Sequence, residues 1–177
     1  MANEALVRGF QPTGIMYGTM PFSVDSSNSG ATFQGDVCDM ESDGNVSAAA
    51  AGSSQVIGSA VGSLNATSAQ KALLATATAG TLLLTWSKHQ EYLCRGDAAT
   101  TPTQTMIGTN AEHVAGSGST VTGWSGHTLD LTTPPDSTAR GFRILDYVLA
   151  PSNDETSASV NIRVVPNLHF LATTTGI

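Results

Sequence analysis

The segment Gly123-Trp124-Ser125-Gly126-His127 sets a hydroxyl two residues from an imidazole, the pair that a hydrolase uses as nucleophile and base. A nucleophile elbow requires glycine two positions after the serine, on a strand-to-helix turn. His127 occupies that position and no helical pattern follows it, so the segment reads as a glycine loop carrying one tryptophan. The acidic run Asp36, Asp39, Glu41, Asp43-Gly44 matches the opening of a calcium loop in part. Its twelfth position, where a glutamate would close the coordination shell, is Ala50, and an acidic hairpin turn is the better reading. The four histidines, His89, His113, His127 and His169, lack short metal-ligand spacings, and each is expected at the surface or at a strand edge. Cys38 and Cys94 fall in strand-like segments, where free buried thiols are favoured over a disulfide. Arg95-Gly96-Asp97 reads as a strand end entering a tight turn rather than as an adhesion tripeptide. Nothing combines a nucleophile, a base and an orienting partner, or a ligand set, at the required spacing. The expectation is a binding or scaffolding protein, not an enzyme, with no cofactor and no metal.

The elements that position these residues are short. Residues 1–24 contain Gly9, Pro12, Gly14, Gly18 and Pro21 without a sustained period, and read as an extended N-terminal arm. Residues 25–177 read as a single β domain. Within it, 31–40, 55–64, 81–88, 91–95, 105–107, 127–132, 140–149 and 159–165 read as strands. Asp43-Gly44 signals a hairpin, and the glycines of 55–64 suggest a strand that another backbone approaches closely. In 140–149 the alternation sends Phe142, Ile144 and Asp146 to one face and Arg143, Leu145 and Tyr147 to the other. In 159–165, Val160, Ile162 and Val164 share one face. Residues 66–79 are the one stretch compatible with a helix, because Ala, Leu, Gln and Lys form helices well. Many short strands separated by turn chemistry indicate an all-β sandwich or barrel of antiparallel strands.

Composition narrows the function classes. Charged residues make up 12% of the chain and the net charge is −7, with basic residues scattered singly. Nucleic-acid affinity rests on neutralising phosphates, so nucleic acid is not an expected partner, and the same reasoning disfavours an anionic membrane surface. The longest weakly polar stretch, 72–86, is too short to span a bilayer. No basic segment followed by an apolar run opens the chain, which suggests synthesis in a cytoplasm.

Read in order, the chain resembles the small decoration (cement or head-stabilisation) proteins of tailed bacteriophage capsids. The resemblance is carried by Gly9-Phe10-Gln11-Pro12-Thr13-Gly14, Gly35-Asp36-Val37, Asp43-Gly44-Asn45-Val46 and Val56-Ile57-Gly58-Ser59-Ala60-Val61. It continues through Glu91-Tyr92-Leu93-Cys94, Gly108-Thr109-Asn110-Ala111 and the segment 123–130. Arg143-Ile144-Leu145-Asp146, Pro151-Ser152-Asn153, Val160-Asn161-Ile162-Arg163 and Asn167-Leu168-His169 complete it. Asp146 departs from the pattern, which has glycine there, and 66–79 is longer than the pattern and reads as a surface insertion. The resemblance implies a homotrimer on the outer surface of the virion head, bridging neighbouring copies of the major capsid protein. Arg8, Phe10, Tyr17, Met20 and Phe22 of the arm, with Leu168, Phe170 and Leu171 near the C-terminus, are the expected interface residues. The alternative is a tail, fibre or other adsorption module of a virion that binds host glycans through Trp124 or Trp86.

Overall fold

The computed structural model describes residues 8–53, 55–64, 72–97, 100–133, 136–148, 153–154 and 159–172. Among the described residues the regular structure is strand, apart from one short 3-10 turn at Gln104–Met106 where a strand is expected. One five-stranded antiparallel sheet has the order β1 (Gln11–Thr13), β7 (Glu91–Arg95), β12 (Asn161–Pro166), β11 (Phe142–Tyr147), β8 (Asn110–Ala111). The second, also antiparallel, has the order β2 (Thr19–Val24), β6 (Gly80–Thr85), β5 (Val56–Ser63), β3 (Val37–Met40), β4 (Val46–Ala48). A separate two-stranded pair joins β9 (His113–Val114) to β10 (Thr128–Leu129). The fold is an all-β sandwich.

The period of two along each strand divides the apolar residues between two clusters. Val37 and Val56 face the first sheet and meet Phe10, Tyr92, Phe142, Ile144, Ile162 and Val164 in the larger core. Their sequence neighbours Cys38 and Ile57 belong to a second cluster with Val24, Val46, Leu74, Leu82 and Leu84. The two thiols are free and buried, Cys94 in the larger core and Cys38 in the smaller. Gly58 is a close-approach position, because a Cβ there would lie 1.9 Å from the Thr85 carbonyl oxygen.

The segment expected to be an arm is extended, but from residue 8 onward its pairing is within the chain. β1 pairs with β7 in one sheet and β2 with β6 in the other, so 11–24 runs antiparallel to 80–95 as one ribbon bent between the sheets. Gln90 pins the bend. Its side chain is fully buried, donating to the carbonyls of Thr13 (3.0 Å) and Glu91 (2.9 Å) and accepting from the Tyr17 amide (3.3 Å). Phe10, expected at an interface, is instead wholly buried, its ring stacked on Phe142 at 4.6 Å and edge-on to Tyr92. Gly9, whose φ of 71° turns the chain beside Gly35, directs Phe10 into the core.

Other differences have local causes. A bulge between Ile144 and Asp146 shifts the β11 register against β12, so that Tyr147 enters the core and Asp146 does not. Asp146 instead pairs with Arg163 on the neighbouring strand, which holds its carboxyl below the usual carboxylate range. In the stretch 66–79 expected to be helical, 66–71 lie outside the described residues. Residues 72–79 form no helix, and Leu74 exchanges main-chain hydrogen bonds with Thr32 and packs in the smaller core.

Replacing Phe10 with alanine is expected to destabilise the protein by about 3–5 kcal/mol. Tyr17→Ala, on the surface, is expected to change it by less than about 0.5 kcal/mol. Gln90→Leu removes the side-chain partner of three main-chain groups and is expected to cost about 2 kcal/mol. Urea unfolding midpoints of the three variants check the order.

Candidate functional site

The serine and histidine of the Gly-Trp-Ser-Gly-His segment lie together with the first aspartate of the acidic run. Asp36, Ser125, His127 and His113 are all buried where the segment 125–127 meets the start of β3. Ser125 is held by its amide donating to the Gln34 carbonyl at 2.9 Å, and its hydroxyl accepts from the His127 amide at 2.9 Å. Asp36 accepts from the Phe33 amide at 2.7 Å. Gly116 and Gly126 let two backbone segments pass so closely that a Cβ on either would lie 2.2 Å from a carbonyl oxygen.

The orientation of His127 decides what this cluster can do. Its Nδ1 accepts a hydrogen bond from the Val37 amide at 3.2 Å, so the ring proton resides on Nε2, which faces Asp36 at 3.6 Å. Neither nitrogen is directed to the Ser125 hydroxyl with a free lone pair, so the relay of serine to histidine to carboxylate does not form. Burial lowers the His127 pKa to about 3, with the nearby His113 adding to the effect. Burial raises the Asp36 carboxyl to about 6, against the Ser125 hydroxyl and Phe33 amide that favour its charged form. The cluster is a polar plug between two packed layers.

Three of the histidines expected at surfaces or edges are therefore interior. His113 stacks on His127 at 5.5 Å and donates from Nε2 to the Ala49 carbonyl at 3.1 Å. His169 donates from Nε2 to the Ile57 carbonyl at 2.8 Å and accepts at Nδ1 from the Leu171 amide. Each ring bonds a main-chain group of a distant segment, a role with no signature in residue spacing. The acidic run does not converge, since Asp39 binds Ser47 and Ser53 while Asp43 turns back to Asn45. Among the described residues no group of three or more His, Cys, Asp or Glu side chains could hold a metal. Asp97, expected in a tight turn, instead joins a distant segment, accepting from the Leu131 amide and the Thr132 hydroxyl while its own amide donates to the Leu129 carbonyl.

The expected interface residues separate into three groups. Tyr17 and Met20 are exposed, and they form an apolar surface with Ile15 and Met16 around the bend of the ribbon, each 41–73% exposed. Ile15 and Met16 were missed because they sit in a glycine-flanked turn with no periodic pattern. Phe22 and Phe170 are half-buried and meet edge-to-face at 6.5 Å over the smaller core. The Leu168 carbonyl and Phe170 amide bond to Val56, which fastens the C-terminal segment to β5 and leaves Leu171 outward. Arg8 is exposed at the rim of a cavity lined also by Arg95 and Trp124.

Compared with known proteins, the chain matches no family model and no curated sequence.

The buried titrating groups predict a pH profile. His127 and His169, lowered to about 3 and 4 from 6.5, gain protons only in the unfolded chain as pH falls below 6.5, so stability drops. Asp36 acts oppositely, because with a folded pKa of about 6 against 3.8 it binds a proton in the folded state first. Acidification from pH 6.5 to 4 should therefore destabilise Asp36→Asn more steeply than the parent protein. Denaturant midpoints across that range check this, and equal slopes would place the Asp36 carboxyl in its ionised form when folded.

Proposed function

We propose that this protein is a structural component of a bacteriophage virion, a decoration protein on the outer surface of the head. In this reading a homotrimer bridges neighbouring copies of the major capsid protein and stabilises the shell. The family resemblance of the ordered sequence blocks suggests the setting, and one structural observation supports it above others. Ile15, Met16, Tyr17 and Met20 stand out from a bend that the buried Gln90 holds in place. Contiguous exposed apolar surface of this kind marks protein–protein contacts. Because the bend is tied to both sheets, little conformational entropy is lost when a partner covers it.

The mode of contact follows from the edges. β1 and β2 are edge strands, and they carry Pro12 and Pro21, which lack the N–H needed for an unbroken added strand. Side chains, not strand addition, therefore carry the contact. Each such contact is small, but a trimer engaging several sites at once gains affinity by multivalency. A protein that binds only the assembled shell opposes its rupture by linkage.

Purified protein added to expanded heads that lack it is expected to bind at a copy number matching the capsid lattice and to raise the rupture temperature. Met16→Glu/Met20→Glu should leave the melting temperature of the free protein unchanged. It should weaken shell binding by about a hundredfold, the effect of losing two buried methionine contacts. A folded parent protein that binds no shell would overturn the proposal.

A further inference from the structure

The arginines of this acidic chain are not equivalent. Arg140 pairs with Asp136, Arg163 with Asp146 and Glu91, and Arg143 donates to Asn110 and Asn167. Arg8 and Arg95 have no side-chain partner among the described residues, although acidic groups outnumber basic ones by 14 to 7. Both line one cavity of about 230 Å³. The Arg95 Nε is buried and has no hydrogen-bond acceptor. A buried donor is nearly always paired, and a guanidinium presents several donors in a plane suited to an oxyanion. The cavity thus gathers at one place two cations that lack an acidic partner among the described residues.

The remaining walls narrow the ligand. Trp124 is half-exposed at the cavity, and Ser117, Ser119 and Thr128 add hydroxyls. The loop is tied to itself, with the Ser119 amide donating to the Trp124 carbonyl (2.9 Å) and the Gly123 amide to the Ser119 carbonyl (2.7 Å). It is also tied to the body of the fold, as the Gln34 amide donates to the Gly123 carbonyl and the Ser125 amide to the Gln34 carbonyl. The volume is below that of pockets for drug-sized ligands, so one ring with its substituents is the scale. An inorganic anion would use the arginines and the hydroxyls and leave the indole idle. A pyranose bearing a carboxylate uses all three features, charge on the guanidinium groups, hydroxyl against hydroxyl, and the ring face on the indole.

We infer that the cavity between Arg8, Arg95 and Trp124 binds the carboxylate-bearing ring of an acidic saccharide. The site stands apart from the apolar bend and does not rest on the capsid reading. Its test is a titration of the isotope-labelled protein with glucuronate, glucose and inorganic phosphate, followed by NMR at the Trp124 indole N–H and the Arg95 Nε–H. Glucuronate should shift both signals saturably, with glucose at least about tenfold weaker and phosphate moving the Arg95 signal alone. Arg95→Met, which keeps the aliphatic stem, and Arg8→Ala, at the surface, should each weaken glucuronate binding by about tenfold, read on the Trp124 signal. Arg8→Ala keeps the test decisive should Arg95→Met fail to fold. No saturable shift with glucuronate, phosphate binding as tightly as glucuronate, or undiminished binding by folded variants would each overturn the inference.

Discussion

The side chain of Gln90 is the tie on which the two-sheet arrangement depends. A sandwich must carry its chain from one layer to the other without leaving main-chain groups dry and unpaired. Here two antiparallel segments make that crossing together, and a single buried amide bonds to both of them. The bend it stabilises fixes the relation of β1 and β7 to β2 and β6, and so the spacing of the layers. Phe10 then enters between the layers at the far end of β1, where it meets Tyr92 and Phe142. Low charge and few aromatics make this economy necessary, since a small number of large side chains must fill the larger core.

The same short strands explain the polar interior. Short and bulged strands leave some main-chain groups without a ladder partner, and buried histidines bond main-chain groups of β3, β5 and the residue after β4. His113, His127 and His169 each bond a main-chain group from another part of the chain. Asp36 fits beside them because burial favours its protonated form and a local amide binds its other oxygen. A serine, a histidine and an aspartate thereby come together without the orientation that catalysis requires. Proximity of residue types is a weaker statement than direction of lone pairs.

The molecule separates rigidity from recognition. Its interior is closed by paired backbone and packed rings, while the bend of the ribbon and the Arg8–Arg95 cavity each present unsatisfied chemistry on a tied-down frame. One is apolar and convex, suited to another protein surface. The other is cationic and concave, suited to a small polar ligand. The proposed roles differ accordingly, and neither demands movement of the fold.

Sequence alone determined the all-β class, the hairpin at Asp43-Gly44, the close approach at Gly58 and the common face of Val160, Ile162 and Val164. All of these follow from local rules, namely alternation, turn chemistry and the absence of a Cβ. The same rules read residues 8–24 as free of the body, because an edge strand with glycine and proline has no period to betray its partner. They also misplaced Tyr147 and Asp146, since one bulged residue reverses every later side chain. Tertiary structure alone decided which histidines are interior and which arginines go unpaired. Those properties depend on contacts between residues tens of positions apart, and spacing along the chain carries no record of them.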